Sequence, residues 1–257
     1  MRPKRGSSGG FHAYRLIARL CAIGCLLAAA GGCRTTPGNP DPWEKTNRAF
    51  YNFNEGLDRV ALRPLSKLYV KVIPRPVREG IGNGFDNLGY LDVILNDCLQ
   101  GQWKQGSADA KRMAINSTIG LAGFFDVATK WGLPAHENDF GITLALWGVK
   151  RGPYLVLPLF GPSTVRDAPG WVVSTVDDPT FWLDLPLGVV IGVKAAQAID
   201  QRSRMEGLVK FRNAAALDPY IFTREGYLAY REHLIHRTHP TTADSSLYDD
   251  DESGPSR

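Results

Sequence analysis

Apolar and polar positions along this chain recur mainly with a helical period, and the stretches break at Pro and Gly. "DPWE" at 41–44 places Asp41 as N-cap, Pro42 at the first helical position and Glu44 at the third. That capping-box arrangement starts a helix running to about Leu62. A second Asp-Pro pair opens "DPYIFTREGYLAYREHLI", predicting a helix from Asp218 to about Arg237. Between them the pattern predicts helices near 64–72, 76–99, 107–120, 123–131, 139–147, 164–176 and 186–213. Only "GPYLVLPLF" at 152–160 reads as extended, and its two prolines exclude a central strand. From 238 to 257, "THPTTADSSLYDDDESGPSR" is polar and aperiodic, which predicts a disordered acidic tail.

Several of the helices are apolar on more than one face. "STIGLAGFFDVATKWGL", "FGITLALWG", "PYLVLPLF" and "FWLDLPLGVVIGV" occupy much of 117–193 and carry Trp131, Trp147 and Trp182. None offers the roughly 20 uninterrupted apolar residues of a membrane-spanning helix. Short helices that are hydrophobic all round either sit deep in a core or lie in lipid. Two arrangements therefore fit: a large helical core, or a disc of short helices set into one leaflet with Trp and Tyr at its rim.

The start of the chain favours a membrane. Residues 1–32 hold Arg2, Lys4, Arg5, Arg15 and Arg19, no acidic residue, and the run "LCAIGCLLAAAGG" ahead of Cys33. That is the form of a secretory signal peptide. "AAGGC" is similar to a bacterial lipobox, in which Cys33 becomes the lipidated first residue, although Ala30 stands where Leu is usual. Arg34 follows, not the Asp that retains lipoproteins at the inner membrane, so outer-membrane delivery is expected. Residues 33–40 then form a lipidated tether; its seven residues after the cysteine reach at most roughly 25 Å, which holds the body against the membrane.

Removing the signal changes the charge. The chain has 30 basic and 26 acidic residues; five basics leave with the leader, so 25 against 26 remain, a net of −1. No basic stripe is left to argue for nucleic acid. Cys98 is the one cysteine remaining besides Cys33, so no intramolecular disulfide is available. Catalytic and metal signatures are weak. His233, His236 and His239 run past a helix end at Pro240, and "HEND" at 136–139 lacks the second His of a zinc protease helix. Ser163 has no nucleophile elbow, and no Gly-rich nucleotide loop is present. The residues predict no metal, no cofactor and no enzyme.

"FYNFNEGLDR" at 50–59 sets Phe50, Tyr51 and Phe53 among Asn52 and Asn54. On a helix Phe50 and Asn54 share a face, with Phe53 and Leu57 close by. One reading packs Phe50, Phe53 and Leu57 in the core while the asparagines cap neighbouring helix ends. Arg166 beside Asp167 in "STVRD" reads as a structural ion pair, and Asp126 in "GFFDVA" as a capping residue.

The blocks "DPWEKTNRAFYNFNEGLD", "RPLSKLYVKVIPRPVREGIGNGFDNL", "INSTIGLAGFFDVA", "GPYLVLPLFGPSTVRDAPG" and "DPYIFTREGYLAYREHL", spread over 41–237, together resemble the MlaA (VacJ) family of outer-membrane lipoproteins. The resemblance implies an all-α, ring- or disc-shaped bundle of short and amphipathic helices in one leaflet, with a central amphipathic channel. It implies that phospholipids misplaced in the outer leaflet are removed and passed to a periplasmic lipid carrier, which keeps the membrane asymmetric. Trimeric porins are further partners in the family. On that reading Asn52, Phe53 and Asn54 line or gate the channel, since a lipid path needs neutral polar groups beside apolar ones. Arg166 and Asp167 are either a structural pair or a contact to a lipid phosphate. Thr46, where an aromatic is common, and the acidic tail depart from the family. The rival readings are a structural outer-membrane scaffold without a conduit and a lipase-like enzyme.

Overall fold

A computed structural model describes residues 39–183 and 185–238. The signal peptide, Cys33, most of the tether and the tail beyond Thr238 lie outside the described residues. The first helical stretch is a rod with a defect in it: α1 (Glu44–Leu57), a π-helical turn (Asp58–Leu62) and α2 (Arg63–Val72) follow without a break. Pro64 supplies the reason. It has no N–H to return to Val60, and just ahead of it Arg63 N reaches back five residues to Asp58 O, which widens the helix.

The capping expectation fails at the front of this rod. Trp43, not Asp41, is the N-cap, and it makes no side-chain bond. Asp41 is buried instead, accepting from Asn47 Nδ2 at 2.8 Å and from the Tyr220 hydroxyl. Tertiary partners have outcompeted the local cap. The matching pair at the back behaves as predicted, with Asp218 Oδ1 accepting from Tyr220 N at 2.9 Å at the start of the last helix.

Pro74 ends α2, because the residue before a proline is pushed to extended backbone; Ile73 has φ −96° and ψ 121°. α3 (Arg75–Leu99) then turns through Gly101, at φ +73°, into α4 (Trp103–Thr118), and the two pack as a helical hairpin. The helices predicted at 107–120 and 123–131 do not run on toward each other. Leu121, Ala122 and Gly123 all take positive φ, and only the short α5 (Val127–Lys130) remains of the second. Asp126 caps it, as expected, accepting from Thr129 N at 3.2 Å while Arg112 Nη2 donates to its other oxygen at 2.9 Å. Despite burial, the bonds from Arg112 and Thr129 hold the Asp126 carboxyl down at about 2.

Gly120 makes this loop possible. A Cβ there would stand 2.3 Å from Phe125 O and 2.5 Å from Asn116 O, both backbone atoms that cannot swing aside. Gly120→Ala is therefore expected to cost about 1–3 kcal/mol, read as a lower melting temperature in detergent; an unchanged melting temperature would show that the loop has room.

α6 (Phe140–Leu146) leads to a two-stranded antiparallel hairpin, β1 (Tyr154–Leu157) and β2 (Gly161–Thr164), with Tyr154 opposite Thr164 and Leu157 opposite Gly161. The extended reading of 152–160 thus holds at its centre, while the helix predicted from 164 starts later, as α7 (Ala168–Asp177). A short α8 (Pro179–Trp182) was not expected. The helix predicted over 186–213 is two, α9 (Leu187–Arg204) and α10 (Glu206–Ala215), and α11 (Pro219–Thr238) closes the chain described.

The apolar centre is small. Tyr154, Val156, Tyr220 and Leu228 form it, with Tyr51 and Tyr227 packed alongside; Tyr51 and Tyr220 meet edge to face at 5.5 Å. No described helix is long and apolar enough to cross a membrane.

Candidate functional site

Burial in this protein is inverted. Among the described residues eight hydrophobic side chains are buried, against eighteen polar or charged ones, while all six tryptophans are at least 36 % exposed. A water-soluble domain buries the opposite set. The large-core arrangement is excluded by this census, and the short apolar helices of 117–193 present their side chains outward, Trp131, Trp147 and Trp182 among them. The interior is held by polar clamps, and the candidate site residues belong to them.

The first clamp joins α1 to the hairpin. Asn47 Nδ2 donates to Asp41 Oδ1 at 2.8 Å and to Tyr154 O at 2.9 Å, and Val156 N donates to Asn47 Oδ1 at 2.9 Å. Two turns on, Asn54 Nδ2 donates to Leu157 O at 3.0 Å, and Asn54 Oδ1 accepts from Leu159 N at 2.8 Å. One helix face thus supplies the missing edge bonds of β1 and pins the tip of the hairpin, where Leu159 sits at φ +71°. Of the three residues singled out from sequence, Asn54 is in this clamp, while Asn52 and Phe53 face outward, Phe53 being 54 % exposed. Neither asparagine caps a neighbouring helix, and Phe50 and Phe53 are not core; both corrections arise because the face that docks is 47, 51 and 54. Asn47, the more buried of the clamp residues, was not anticipated.

Arg166 and Asp167 form the structural pair, Nε to Oδ1 at 2.8 Å, both nearly buried. The pair is part of a longer chain that sequence did not reveal. Arg231 of α11 binds Asp139 through both terminal nitrogens, and its Nε stands 3.3 Å from Asp167 Oδ2, which also accepts from the Tyr227 hydroxyl at 3.1 Å. Burial alone would raise Asp167, but Arg166 and Arg231 outweigh it and hold its carboxyl below the usual range. Beside this chain lies a cavity of about 190 Å³, lined in part by Asp92, Asp139, Asp167, Trp171, Tyr227 and Arg231.

A second buried cluster centres on His136. Its Nδ1 lies 2.9 Å from Asp109 Oδ2 of α4 and its Nε2 3.3 Å from Asp97 Oδ1 of α3, with both carboxylates buried. Asp109, then Asp97, push the imidazole up to about 9. The three groups are of metal-ligating type and lie within 4.8 Å of one another, yet each ring nitrogen faces a different carboxylate. That is the arrangement of an imidazolium bridging two anions, since a ring bound to metal gives only one nitrogen to it. Beyond the lone "HEND", no local motif signals this cluster.

Comparison with known proteins agrees with this architecture. The family described as MlaA lipoprotein matches residues 39–234. "Intermembrane phospholipid transport system lipoprotein MlaA" of Escherichia coli (strain K12) is 33 % identical over 220 residues, covering 83 % of this chain and 85 % of its own. The protein of the same name from Haemophilus influenzae is 28 % identical, covering 91 % and 94 %. Among solved structures, one described as "Structural basis for maintenance of bacterial outer membrane lipid asymmetry" superposes with a TM-score of 0.64 at 31 % identity, over 76 % of this chain and 98 % of the other. An inverted, mostly helical body with these matches over most of its length belongs to the MlaA lipoprotein family.

Proposed function

We propose that this protein is an outer-membrane lipoprotein, anchored through Cys33, that removes mislocalised phospholipids from the outer leaflet and hands them to a periplasmic lipid carrier. The inverted burial carries the reading. Apolar helix faces and exposed tryptophans suit a body sunk into one leaflet, and the polar interior suits a path for head groups. In this picture the helices ring an amphipathic channel, and a trimeric porin is a further partner. The body needs no catalytic set, and no nucleotide loop supplies energy, so lipid moves passively until the carrier withdraws it. Cys33→Ala should then impair placement in the outer membrane while the apolar belt keeps partial membrane association, measurable by sucrose-gradient fractionation.

Asn52, Phe53 and Asn54 belong to the gate on this reading, and the clamp suggests how. Removing Asn52 and Phe53 together rotates everything after them by about 200° around the helix axis. Asn54 then leaves the hairpin tip while Asn47 stays. The test compares outer-leaflet phospholipid at the cell surface for wild type, the two-residue deletion and the point variants Asn52→Ala and Phe53→Ala. The deletion is expected to disturb lipid asymmetry at normal protein abundance, and the point variants far less, since both side chains are outside the clamp. Loss of abundance alone, with asymmetry tracking the amount of protein, would mean that this stretch is structural.

A further inference from the structure

We propose that the cavity between α3, α7 and α11 is a subsite for a zwitterionic head group, taking the primary ammonium of phosphatidylethanolamine together with its phosphate. The proposal rests on the phospholipid reading above and assigns it a head-group preference. The charges around the cavity do not close. Asp139 and Asp167 are matched by Arg231 and by Arg166, which sits just behind. Asp92 is the surplus carboxylate. It accepts only from the neutral amide of Asn96, at 2.7 Å, and no Lys, Arg or His pairs with it among the described residues.

Burial, with the charges of Asp139 and Asp177 behind it, raises the Asp92 carboxyl to about 7. A cation brought to the cavity therefore meets a carboxyl that burial holds back from full ionisation and that has no cation of its own, and would draw it into the charged form. Trp171 and Tyr227 add aromatic surface on which an alkylammonium can rest. Trp171, on the cavity wall, is 42 % exposed. The second half of the head group has its own donor. Arg231 is 6 % exposed and lines the cavity; its Nε stands 3.3 Å from Asp167 Oδ2 but makes no aligned hydrogen bond. A phosphate oxygen entering beside Asp167 would give that guanidinium N–H an aligned acceptor. At about 190 Å³ the space takes a small polar head and leaves the acyl chains outside, against the apolar exterior. An anionic glycerol head would offer Asp92 no positive charge.

The experiment reconstitutes the mature protein in nanodiscs of equal phosphatidylethanolamine and phosphatidylglycerol, extracts it mildly, and measures the ratio of the two lipids retained. Wild type should enrich phosphatidylethanolamine over the bulk. Asp92→Asn should lower that enrichment by about tenfold, the scale of one hydrogen bond to a charged group, whereas Asp92→Glu should keep most of it. The ratio is insensitive to how much protein folds. Soluble glycerophosphoethanolamine should compete for retention where ethanolamine does not; equal competition by ethanolamine would reduce the site to a general ammonium pocket and overturn the head-group assignment. Equal ratios in wild type and Asp92→Asn would overturn the subsite while leaving lipid handling intact. No retained lipid in wild type would overturn both.

Discussion

Replacing His136 with Gln is expected to destabilise the folded protein by about 3–5 kcal/mol, the cost of leaving buried charge without its partner. Asp97 and Asp109 are both buried, and His136 is the cation set between them. Because the folded-state pKa is raised to about 9, the contribution is fully present below the unfolded value of 6.5 and is lost as pH rises through 9. The shift corresponds to about 3 kcal/mol. Asp92 titrates with the opposite history: its carboxyl, raised from 3.8 to about 7, loses stability as pH rises to 7 and changes little above it. Between about pH 8 and 9 the His136 loss dominates, because the buried tyrosines, whose hydroxyls are raised above their ordinary 10, begin to lose stability only above that interval. Tryptophan-monitored melting in detergent should fall across that interval in wild type and fall much less in His136→Gln. A wild-type melt that does not fall there would show that the ring is neutral in the folded protein.

Asn47→Ala is expected to have a comparable effect for a different reason. It takes one hydrogen bond from each of three buried groups at once, Asp41 Oδ1, the Tyr154 carbonyl and the Val156 N–H. At about 1–3 kcal/mol for each unsatisfied group, partly relieved by relaxation, a loss of roughly 3 kcal/mol follows. Asn54→Ala, at the more open hairpin tip, should cost about 1 kcal/mol. The check is a paired melt together with limited proteolysis at 158–160. Faster cutting in Asn47→Ala than in Asn54→Ala locates the main anchor at Asn47; the reverse order would place it at the tip.

Much of the fold was legible in the sequence because helices announce themselves by period and by Pro and Gly punctuation. Eight of the nine predicted helices have a counterpart close to their predicted limits or within them, the ninth is two helices, and the extended segment contains β1. What was not legible depended on partners distant in sequence. "GPST" has no strand-like alternation and becomes β2 only by pairing with β1, which α1 braces from its other edge. Asp41 has the look of an N-cap but finds Asn47 and Tyr220. The loop at 121–123 carries three consecutive positive φ values that no local pattern demanded of Leu121 and Ala122.

The site divides in the same way. Arg166 and Asp167 were visible because they are neighbours, whereas Arg231 and Asp139 come from helices far along the chain. Asn54 was named and Asn47 was not, although 47, 51 and 54 share one helix face in the spacing that docks against another element. Tyr51 on that face packs against the apolar centre. The aromatic and asparagine alternation of 50–54 marks the helix that carries the clamp, with residues 52 and 53 on its exposed side. The apolar helices of 117–193 left open whether they were buried or lipid-facing, because hydrophobicity alone does not say which medium covers it; the polar interior decides.

The most direct test of the account is mass spectrometry of the lipid that co-purifies with the tagged mature protein taken gently from outer membranes. A conduit with a polar interior and an apolar exterior predicts phospholipid near one to one with protein, in an amount that changes when Asn52 and Phe53 are deleted. Protein free of lipid in both forms, from cells whose outer-leaflet composition is unaffected by its loss, would contradict the conduit and leave a structural scaffold.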